Sequence, residues 1–458
     1  MTSPTENSGV PSAIAAPGTT LYPWYVVMVL MLAQTFSFID RMIMGLLVGP
    51  VRASFGISDT QFSLLAGMAF AIFYAIMGLP LARIADRKSR KNLIALAITV
   101  WSIMTALCGL AQGFWSLFLA RVGVGVGEAA LSPAAYSLIT DYFAKAKLGR
   151  ALSVYTVGVT VGSGMAYMIG SKVVAYVEQL GTISVSFLGE VEGWQMTFFV
   201  VGIPGLIIAA LTLLTVREPE RKGNVVIEGA ADTAGDGHVS IGEVIDFLLA
   251  RKRAMLSHVI GMATYIMVVF SLNVWGPTYL IRTFDYTRGE AGWTMGLLMM
   301  VGGTIGLLYG GYLADKWYAK GQLDAYTRVI LMSALCLIPF VVMLGFTENA
   351  TIGVLCLAIG IFFSAFQGGI AGGVIQLMTP NQMRGQAVAL YFLGANLLGL
   401  GLGPTVVAMM TDFVFQDDAA IGKSLALTAA ILGPLAIVII ASGRKHVLAS
   451  IEEAQQWH

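Results

Sequence analysis

Residues 78–91 read GLPLARIADRKSRK, where one aspartate, Asp86, and five basic residues follow an apolar run. A weaker copy, GGYLADKWYAKG, spans residues 310–321 and places Asp315 229 positions after Asp86. A second set of matches lies at an offset of 236 residues: Gly149, Ala151, Tyr155 and Gly158 correspond to Gly385, Ala387, Tyr391 and Gly394. Repeated apolar halves predict a pseudo-symmetric membrane transporter with its substrate site near the bilayer midplane, between the halves.

The composition excludes the common classes of water-soluble protein. Of 458 residues, 57% are hydrophobic and 12% are charged, and the mean hydropathy is +0.78. Soluble domains carry about 25% charged residues, so a soluble enzyme and a disordered scaffold are excluded. A nucleic-acid binder would need a basic surface, whereas the net charge here is +1. Cys108, Cys336 and Cys356 lie in separate apolar runs, which is not the pattern of a disulfide framework or a metal cluster.

Twelve apolar runs are long enough to cross a bilayer, which takes about 20 mostly apolar residues. The predicted helices fall near 24–48, 61–84, 92–111, 114–140, 150–177, 193–215, 254–281, 291–314, 327–347, 350–378, 386–412 and 423–442. We therefore predict an all-α membrane protein of twelve transmembrane helices in two pseudo-symmetric six-helix bundles.

The chain divides accordingly into five predicted segments. They are a disordered N-terminal tail (1–21), an N-terminal bundle (22–216), a cytoplasmic linker with an amphipathic helix (217–253), a C-terminal bundle (254–442) and a cytoplasmic tail (443–458). The linker helix is predicted because Ile241, Val244, Ile245 and Leu248 recur at helical spacing.

The distribution of Lys and Arg predicts the orientation. With the N-terminus on the cytoplasmic side, 20 of the 27 basic residues lie on that side and five on the other. Both termini are therefore expected to face the cytoplasm. Short loops and the lack of a sorting signal favour a bacterial inner membrane.

The loop at residues 78–91 resembles the signature loop of the major facilitator superfamily, and the copy around Asp315 lies where that superfamily repeats it. The resemblance extends over about residues 22–442. FIDR at 38–41, RVGVGVGEAALSP at 121–133 and GSGMAY at 162–167 resemble the spinster group, whose eukaryotic members move lysophospholipids and sphingosine-1-phosphate. The Asp-Arg pair and the RxxxGxGEA pattern also resemble the organic anion:cation symporters. The resemblance implies the major facilitator fold.

Four charged residues lie well inside the predicted spans, away from the span ends: Asp40, Arg41, Arg121 and Glu128. A bare charge near the bilayer centre costs about 2.5–3.5 kcal/mol or more, so these side chains must pair with one another or line water. Arg121 and Glu128 are seven residues apart and share a helix face, about 10 Å apart along the axis. Asp40 and Arg41 point about 100° apart and can meet different neighbours.

We predict that Asp40 and Glu128 bind protons and that Arg41 and Arg121 are their switching partners, because arginine stays charged. One alternative is a static charge network that holds the first and fourth helices together. Another is recognition of an anionic headgroup by the two arginines.

Asp86, Arg87, Arg90 and Asp315 form a predicted conformational latch. The resemblance implies that Asp86 faces a helix N-terminus of the other half, where the helix dipole favours negative charge. A plain topology signal would explain the basic residues but not Asp86. Ala82 stands where the family has a glycine, so looser helix packing is expected there.

Polar residues on apolar spans are candidates for substrate binding. Besides Arg41 and Arg121, they are Gln34, Tyr155, Thr156, Asn273, Tyr391 and Asn396. Each could instead form a hydrogen bond between helices. Away from the span ends, the second half has no Lys, Arg or Glu inside its predicted spans. This favours an amphipathic lipid whose headgroup meets the two arginines and whose tail enters the second half.

The predicted function is proton-coupled secondary active transport by alternating access, of an amphipathic lipid or lysolipid. The alternatives are proton- or cation-coupled transport of a small organic anion such as a sugar acid, and a membrane sensor that does not transport. No enzyme motif occurs, so we expect no catalytic activity, no cofactor and no metal. The expected partners are the substrate, protons and the lipid bilayer, without nucleic acid, and the expected state is a monomer.

Overall fold

The structure is a computed structural model that describes residues 21–143, 145–180, 183–185, 189–220, 241–380 and 383–455. At some of these positions it describes the backbone alone, namely residues 86, 145, 146, 177–180, 183–185, 189 and 241. The predicted N-terminal tail, apart from Leu21, lies outside the described residues, as does most of the predicted linker.

The described residues contain twelve helices that are long and apolar enough to cross a membrane, which confirms the predicted fold class. In chain order they are α1 (Leu21–Leu46), α2 (Asp59–Ala85), α3 (Arg90–Cys108), α4 (Phe114–Tyr142), α5 (Lys147–Tyr176), α6 (Gly193–Thr215), α7 (Lys252–Phe284), α8 (Arg288–Ala319), α9 (Ala325–Met343), α10 (Ala350–Leu377), α11 (Arg384–Phe415) and α12 (Asp418–Gln455).

Helix pairing repeats with a period of six. In the first half α1 packs against α5, and α3 packs against α4 and α6. In the second half α7 packs against α11, and α9 packs against α10 and α12. Each half (α1–α6 or α7–α12) is therefore built by the same scheme of contacts, as the sequence repeat predicts.

Glycines allow these helices to approach closely. A Cβ atom added to Gly162 on α5 would lie 2.4 Å from the carbonyl oxygen of Thr35 on α1. In the second half, a Cβ atom on Gly403 of α11 would lie 2.5 Å from the carbonyl oxygen of Met267 on α7. Small residues permit such backbone contacts between membrane helices.

The two halves meet tightly at the end opposite the chain termini, which we call the outer end. There α5 crosses α8, so that a Cβ atom on Gly296 would lie 2.6 Å from the carbonyl oxygen of Gly164. Likewise α2 crosses α11, where a Cβ atom on Gly67 would lie 2.8 Å from the carbonyl oxygen of Leu400. No side chain larger than hydrogen fits at these crossings without a shift of the helices.

At the other end, the inner end, where Leu21 and Gln455 lie, no glycine of the described residues makes such a contact between the halves. At Gly78 (α2), Gly311 (α8), Gly369 (α10) and Gly385 (α11), an added Cβ atom would meet no atom within 4 Å. Each polar cluster described at this end joins residues of a single half and does not connect the two halves. Asp324 pairs with Arg328 and Arg444, all in the second half.

Two spanning helices each contain a two-residue irregular turn, which we call a break, although the φ and ψ angles there stay in the right-handed helical region. In α4, a segment Phe114–Glu128 is followed after two residues by Leu131–Tyr142. In α10, Ala350–Ser364 is followed after two residues by Gln367–Leu377. The breaks occupy corresponding helices of the two halves, and the break in α4 directly follows Glu128.

Elements outside the spans pack on the second half or at the outer end. A short antiparallel hairpin pairs Ile183–Val185 with Gly189–Val191. The linker helix Ile241–Ala250 contacts α7 and α11. The predicted tail is not separate from the last span, because α12 continues as one helix to Gln455 and Glu453 pairs with Arg251.

Candidate functional site

A buried ionic contact inside the spans joins α1 to α4. Arg41 Nε donates a hydrogen bond of 2.6 Å to Glu128 Oε2, and Ser37 Oγ donates to the same oxygen at 2.6 Å. Ser37 and Arg41 are four residues apart on α1 and therefore face the same side of that helix. The Glu128 side chain is fully buried, so its negative charge depends on these two donors.

Asp40 is held separately, by α3. Thr105 Oγ1 donates to Asp40 Oδ2 at 3.0 Å. Arg121 Nη1 donates to the main-chain carbonyl oxygen of Asp40 at 3.3 Å, whereas the sequence predicted a partnership with a carboxylate. The regular part of α1 ends at Met42. Carbonyl groups in the last turn of a helix lack helical partners and attract cations.

Aromatic rings enclose the Arg41 guanidinium. Its Cζ atom lies 4.8 Å from the ring centroid of Phe38, 4.5 Å from that of Phe70 and 4.6 Å from that of Tyr74. Arg121 lies 5.6 Å from the same Phe70 ring. A cation within about 6 Å of a ring face is attracted by it. Sequence analysis missed Phe70 and Tyr74, because aromatic residues in an apolar helix carry no distinguishing signal.

Three buried atoms of this cluster have no hydrogen-bond partner among the described residues: Asp40 Oδ1, Glu128 Oε1 and Arg121 Nε. Buried polar atoms without partners are costly, and more so when the group is charged. Partner exchange or proton uptake would relieve that cost.

The glycines before Glu128 position α4. A Cβ atom on Gly125 would lie 2.5 Å from the carbonyl oxygen of Phe70, and one on Gly127 would lie 2.8 Å from the main-chain nitrogen of Trp101. The backbone of α4 thus rests directly on α2 and α3. This close contact brings Arg121 and Glu128 within reach of α1.

The polar substrate candidates of the first half have partners. Tyr155 donates to Gln34 Oε1 at 2.6 Å, and both side chains are buried. The Thr156 hydroxyl donates to the carbonyl oxygen of Leu152, one turn back on its own helix. These three side chains contribute helix contacts in this conformation.

The substrate candidates of the second half form fewer side-chain hydrogen bonds than those of the first half. The Tyr391 hydroxyl is buried and has no hydrogen-bond partner in the part of the chain that the structure describes. Asn273 and Asn396 are half-buried, and the main-chain oxygen of Asn273 accepts a hydrogen bond from Tyr167 across the halves. Beside Tyr391 lies a buried histidine that sequence analysis missed, His258, whose Nε2 is 2.9 Å from the carbonyl oxygen of Ala371.

The second half also contains a cluster of aromatic rings between α8 and α10. Tyr309 lies 5.9 Å from Phe366 and 6.4 Å from Phe362, and Phe362 lies 5.1 Å from Phe366, between ring centroids. Phe366 stands at the break in α10, at the position in its half that corresponds to the break after Glu128. The first half is ionic at this point, whereas the second is aromatic.

The predicted latch residues are spread over the inner end. Arg90 is buried and pairs with Asp141 and with Glu218, the latter at 2.8 Å, all within the first half. Asp315 accepts a hydrogen bond of 2.7 Å from Tyr326. Arg87 is exposed, and the Asp86 side chain lies outside the described part of the structure. Among the three latch side chains that the structure describes, Arg90 and Asp315 have separate partners, each in its own half.

Glu218 lies outside the spanning helices and accepts several donors. Partial burial works to raise its pKa, but hydrogen bonds from the Lys91 backbone N–H and from the Arg90 and Ser89 side chains outweigh it. The pKa of Glu218 is therefore lowered from its ordinary value.

Residues 30–404 match the family model of the Major Facilitator Superfamily. An MFS-type efflux pump of Mycolicibacterium smegmatis is 29% identical over 89% of this chain and 89% of its own length. A probable L-galactonate transporter of Escherichia coli is 22% identical over 90% of this chain and 88% of its own.

Among solved structures, a bacterial homologue of the human lysosomal transporter Spinster, inward-facing and unoccupied, superposes with a TM-score of 0.74. It is 27% identical, and the match covers 96% of this chain and 99% of that one. The family predicted from residues 78–91 is thereby confirmed. The chain belongs to the Major Facilitator Superfamily and is a transporter of its spinster-like type.

Proposed function

We propose that this protein is a proton-coupled secondary active transporter that works by alternating access and moves an amphipathic lipid or lysolipid. The observation that carries the proposal is the buried ion pair between Arg41 on α1 and Glu128 on α4. A second buried carboxylate, Asp40, lies on the same helix as Arg41.

The coupling runs through the carboxylates, because arginine keeps its charge. Proton binding at Glu128 removes the negative charge that holds Arg41. A buried arginine without a counter-ion is costly, so Arg41 must then move toward another acceptor. Asp40 Oδ1, which has no partner among the described atoms, offers such an acceptor.

The direction of opening follows from the packing of the ends. The halves are in tight contact at the outer end, and the inner end carries most of the basic residues. Basic loops face the cytoplasm, so the inner end is the cytoplasmic side and this conformation is inward-facing. The solved Spinster homologue that resembles the chain is also inward-facing. We assign the membrane as a bacterial inner membrane and the active form as a monomer.

An amphipathic substrate fits the contrast between the halves. Arg41 and Arg121 in the first half can meet an anionic headgroup, and the rings of Tyr309, Phe362 and Phe366 in the second half offer an apolar surface for a chain. The unpaired Tyr391 hydroxyl can serve as a further polar contact.

The test is flux of a labelled lysolipid into liposomes that contain the purified protein, with and without an imposed pH gradient. Glu128→Gln should reduce gradient-driven flux to the level of protein-free liposomes, because the amide cannot exchange a proton. Glu348→Gln is the matched control, since Glu348 is exposed at the outer end. Gradient-driven flux that survives in Glu128→Gln would contradict the proposed coupling.

A second candidate is symport of a small organic anion. The partnerless Nε of the buried Arg121 favours it, since a carboxylate could bind there, and so does the similarity to a probable L-galactonate transporter. Equilibrium binding separates the two candidates. Saturable binding of a soluble sugar acid, with none of lysolipid, would favour the anion symporter. Lysolipid binding with no flux under any gradient would instead indicate a sensor.

A further inference from the structure

Five charged residues from both halves meet at the outer end, and we call them the outer charge cluster. The first half contributes Arg52, in the connection between α1 and α2, and Asp59 at the start of α2. The second half contributes Arg282 near the end of α7, Asp412 in α11 and Asp418 at the start of α12. In the sequence, Arg52 and Arg282 are two of the five basic residues predicted on the non-cytoplasmic side, and no role was predicted for them.

Strong contacts within this cluster cross from one half to the other. Arg282 forms a two-pronged pair with Asp59, with Nη1 at 2.6 Å from Oδ2 and Nη2 at 2.9 Å from Oδ1. Arg52 Nη1 donates to Asp418 Oδ2 at 2.7 Å. Asp412 Oδ2 accepts the main-chain N–H of Thr60 at 2.7 Å. These contacts hold α2 against α7 and α11, and the α1–α2 connection against α12, while the outer end is closed.

Each arginine also contacts a carboxylate of its own half. Arg52 Nη1 lies 3.0 Å from Asp59 Oδ1, and Arg282 Nη2 lies 3.8 Å from Asp418 Oδ2. Arg52 and Arg282 therefore each have one acidic partner in the other half and one acidic partner in their own half. Asp59 is fully buried, whereas the Asp418 side chain is 57% exposed.

We infer that the outer charge cluster is an exchange lock for the outer end. When the halves separate, Arg282 leaves Asp59 for Asp418, and Arg52 leaves Asp418 for Asp59. Both arginines and Asp59 thus remain paired in the open and the closed form. The inference rests on the proposed alternating access, because it describes how the outer end opens.

The exchange predicts opposite effects for the two arginines. In Arg282→Gln, Asp59 keeps Arg52 in both forms and loses its contact across the interface, so the outward-open form gains population. In Arg52→Gln, Asp59 is paired with Arg282 when the outer end is closed but has no cationic partner when it is open, so the outward-open form loses population. Each shift should be about tenfold or more, as loss of one partner of a buried pair implies. A simple clamp would open in both variants.

The experiment measures spin-label distances between the outer connections of the two halves in the full-length protein. Gln112 and Glu348 are exposed on the α3–α4 and α9–α10 connections, one in each half, and carry the labels. Arg282→Gln should increase the long-distance population and Arg52→Gln should decrease it. Asp417→Asn is the control, since Asp417 is exposed and its carboxylate accepts the Ala419 N–H within its own half.

Two results would overturn the exchange lock, and they have different consequences for alternating access. If both arginine variants shift the population the same way, or neither does, the exchange lock is overturned while alternating access stands. If the unmodified protein shows no long outer distance under any gradient, alternating access fails and the lock fails with it. Arg52→Lys and Arg282→Lys repeat the test with the charge retained, should either glutamine variant fold poorly, and should give smaller shifts of the same sign.

Discussion

The two halves share one scaffold and differ in the chemistry at its centre. In both, the fourth helix of the half is broken, and the fifth packs on the first through glycines. In the first half the break follows Glu128, which pairs with Arg41. In the second half Phe366 stands at the break and packs against Tyr309. The two halves thus share their backbone packing, but the first half has an ion pair at its centre and the second half has packed aromatic rings there.

Tyr155 and Tyr391 show the same division at one pair of positions. They correspond in the sequence repeat, and both are almost fully buried. Tyr155 donates to Gln34, whereas the Tyr391 hydroxyl lacks a partner among the described residues and its ring lies 5.3 Å from that of His258. The Tyr155 hydroxyl is thus used for a contact between helices, whereas the Tyr391 hydroxyl is available to form a hydrogen bond with a substrate.

The largest expected effect concerns the ionic centre of the first half. Arg41→Ala leaves Glu128 buried without its cation, which should lower the free energy of unfolding by about 3–5 kcal/mol. Thermal unfolding in detergent at neutral pH measures the loss. Adding Glu128→Gln to Arg41→Ala should recover much of it, because the uncompensated charge is gone. A double variant as unstable as the single one would contradict a dominant role for the ion pair.

The next effect compares corresponding glycines. A Cβ atom on Gly158 would lie 2.7 Å from the Met31 carbonyl oxygen, whereas one on Gly394 would lie 3.1 Å from the Val259 side chain. Overpacking costs about 1–3 kcal/mol, so we expect Gly158→Ala to destabilise the protein by that amount and Gly394→Ala by less, because a side chain can shift more easily than backbone. Unfolding midpoints of the two variants provide the comparison, and equal losses would show that the halves tolerate strain alike.

A smaller effect tests the two tyrosines. Tyr155→Phe removes the hydrogen bond to Gln34 and should cost about 0.6 kcal/mol, the average for such bonds in membranes. Tyr391→Phe removes a hydroxyl without a partner among the described residues, so its stability should be unchanged or slightly higher. Substrate affinity should fall in Tyr391→Phe if the hydroxyl meets the ligand. Equal stability losses in both variants would mean that Tyr391 has a structural partner as well.

The smallest effect compares the inner-end ion clusters. In the first half one arginine, Arg90, joins two acids, and in the second one acid, Asp324, joins two arginines. The lowered pKa of Glu218 means that its contribution is present above the unfolded-state pKa, about 4.3, and is lost as the pH falls through the folded value. Glu218→Gln should therefore lower the unfolding temperature at pH 7, and its difference from the unmodified protein should vanish once the pH falls below the folded-state pKa of Glu218. Glu220→Gln, at an exposed neighbour, should have no effect at either pH.

Local sequence properties determined the twelve spans, the repeat and the family. Hydrophobicity is a property of short windows, and the motif at 78–91 needs no knowledge of its neighbours. The same reasoning identified Asp40, Arg41, Arg121 and Glu128, because a charge inside an apolar run is visible in the sequence alone.

The partners of those charges were decided only by the tertiary structure. Which carboxylate Arg41 meets, and that Arg121 reaches a main-chain oxygen, depend on how α1 and α4 are rotated and on where α1 ends. The rings around Arg41 and the outer charge cluster join segments far apart in the chain. Such contacts arise from helix packing, which the order of residues along one helix does not specify.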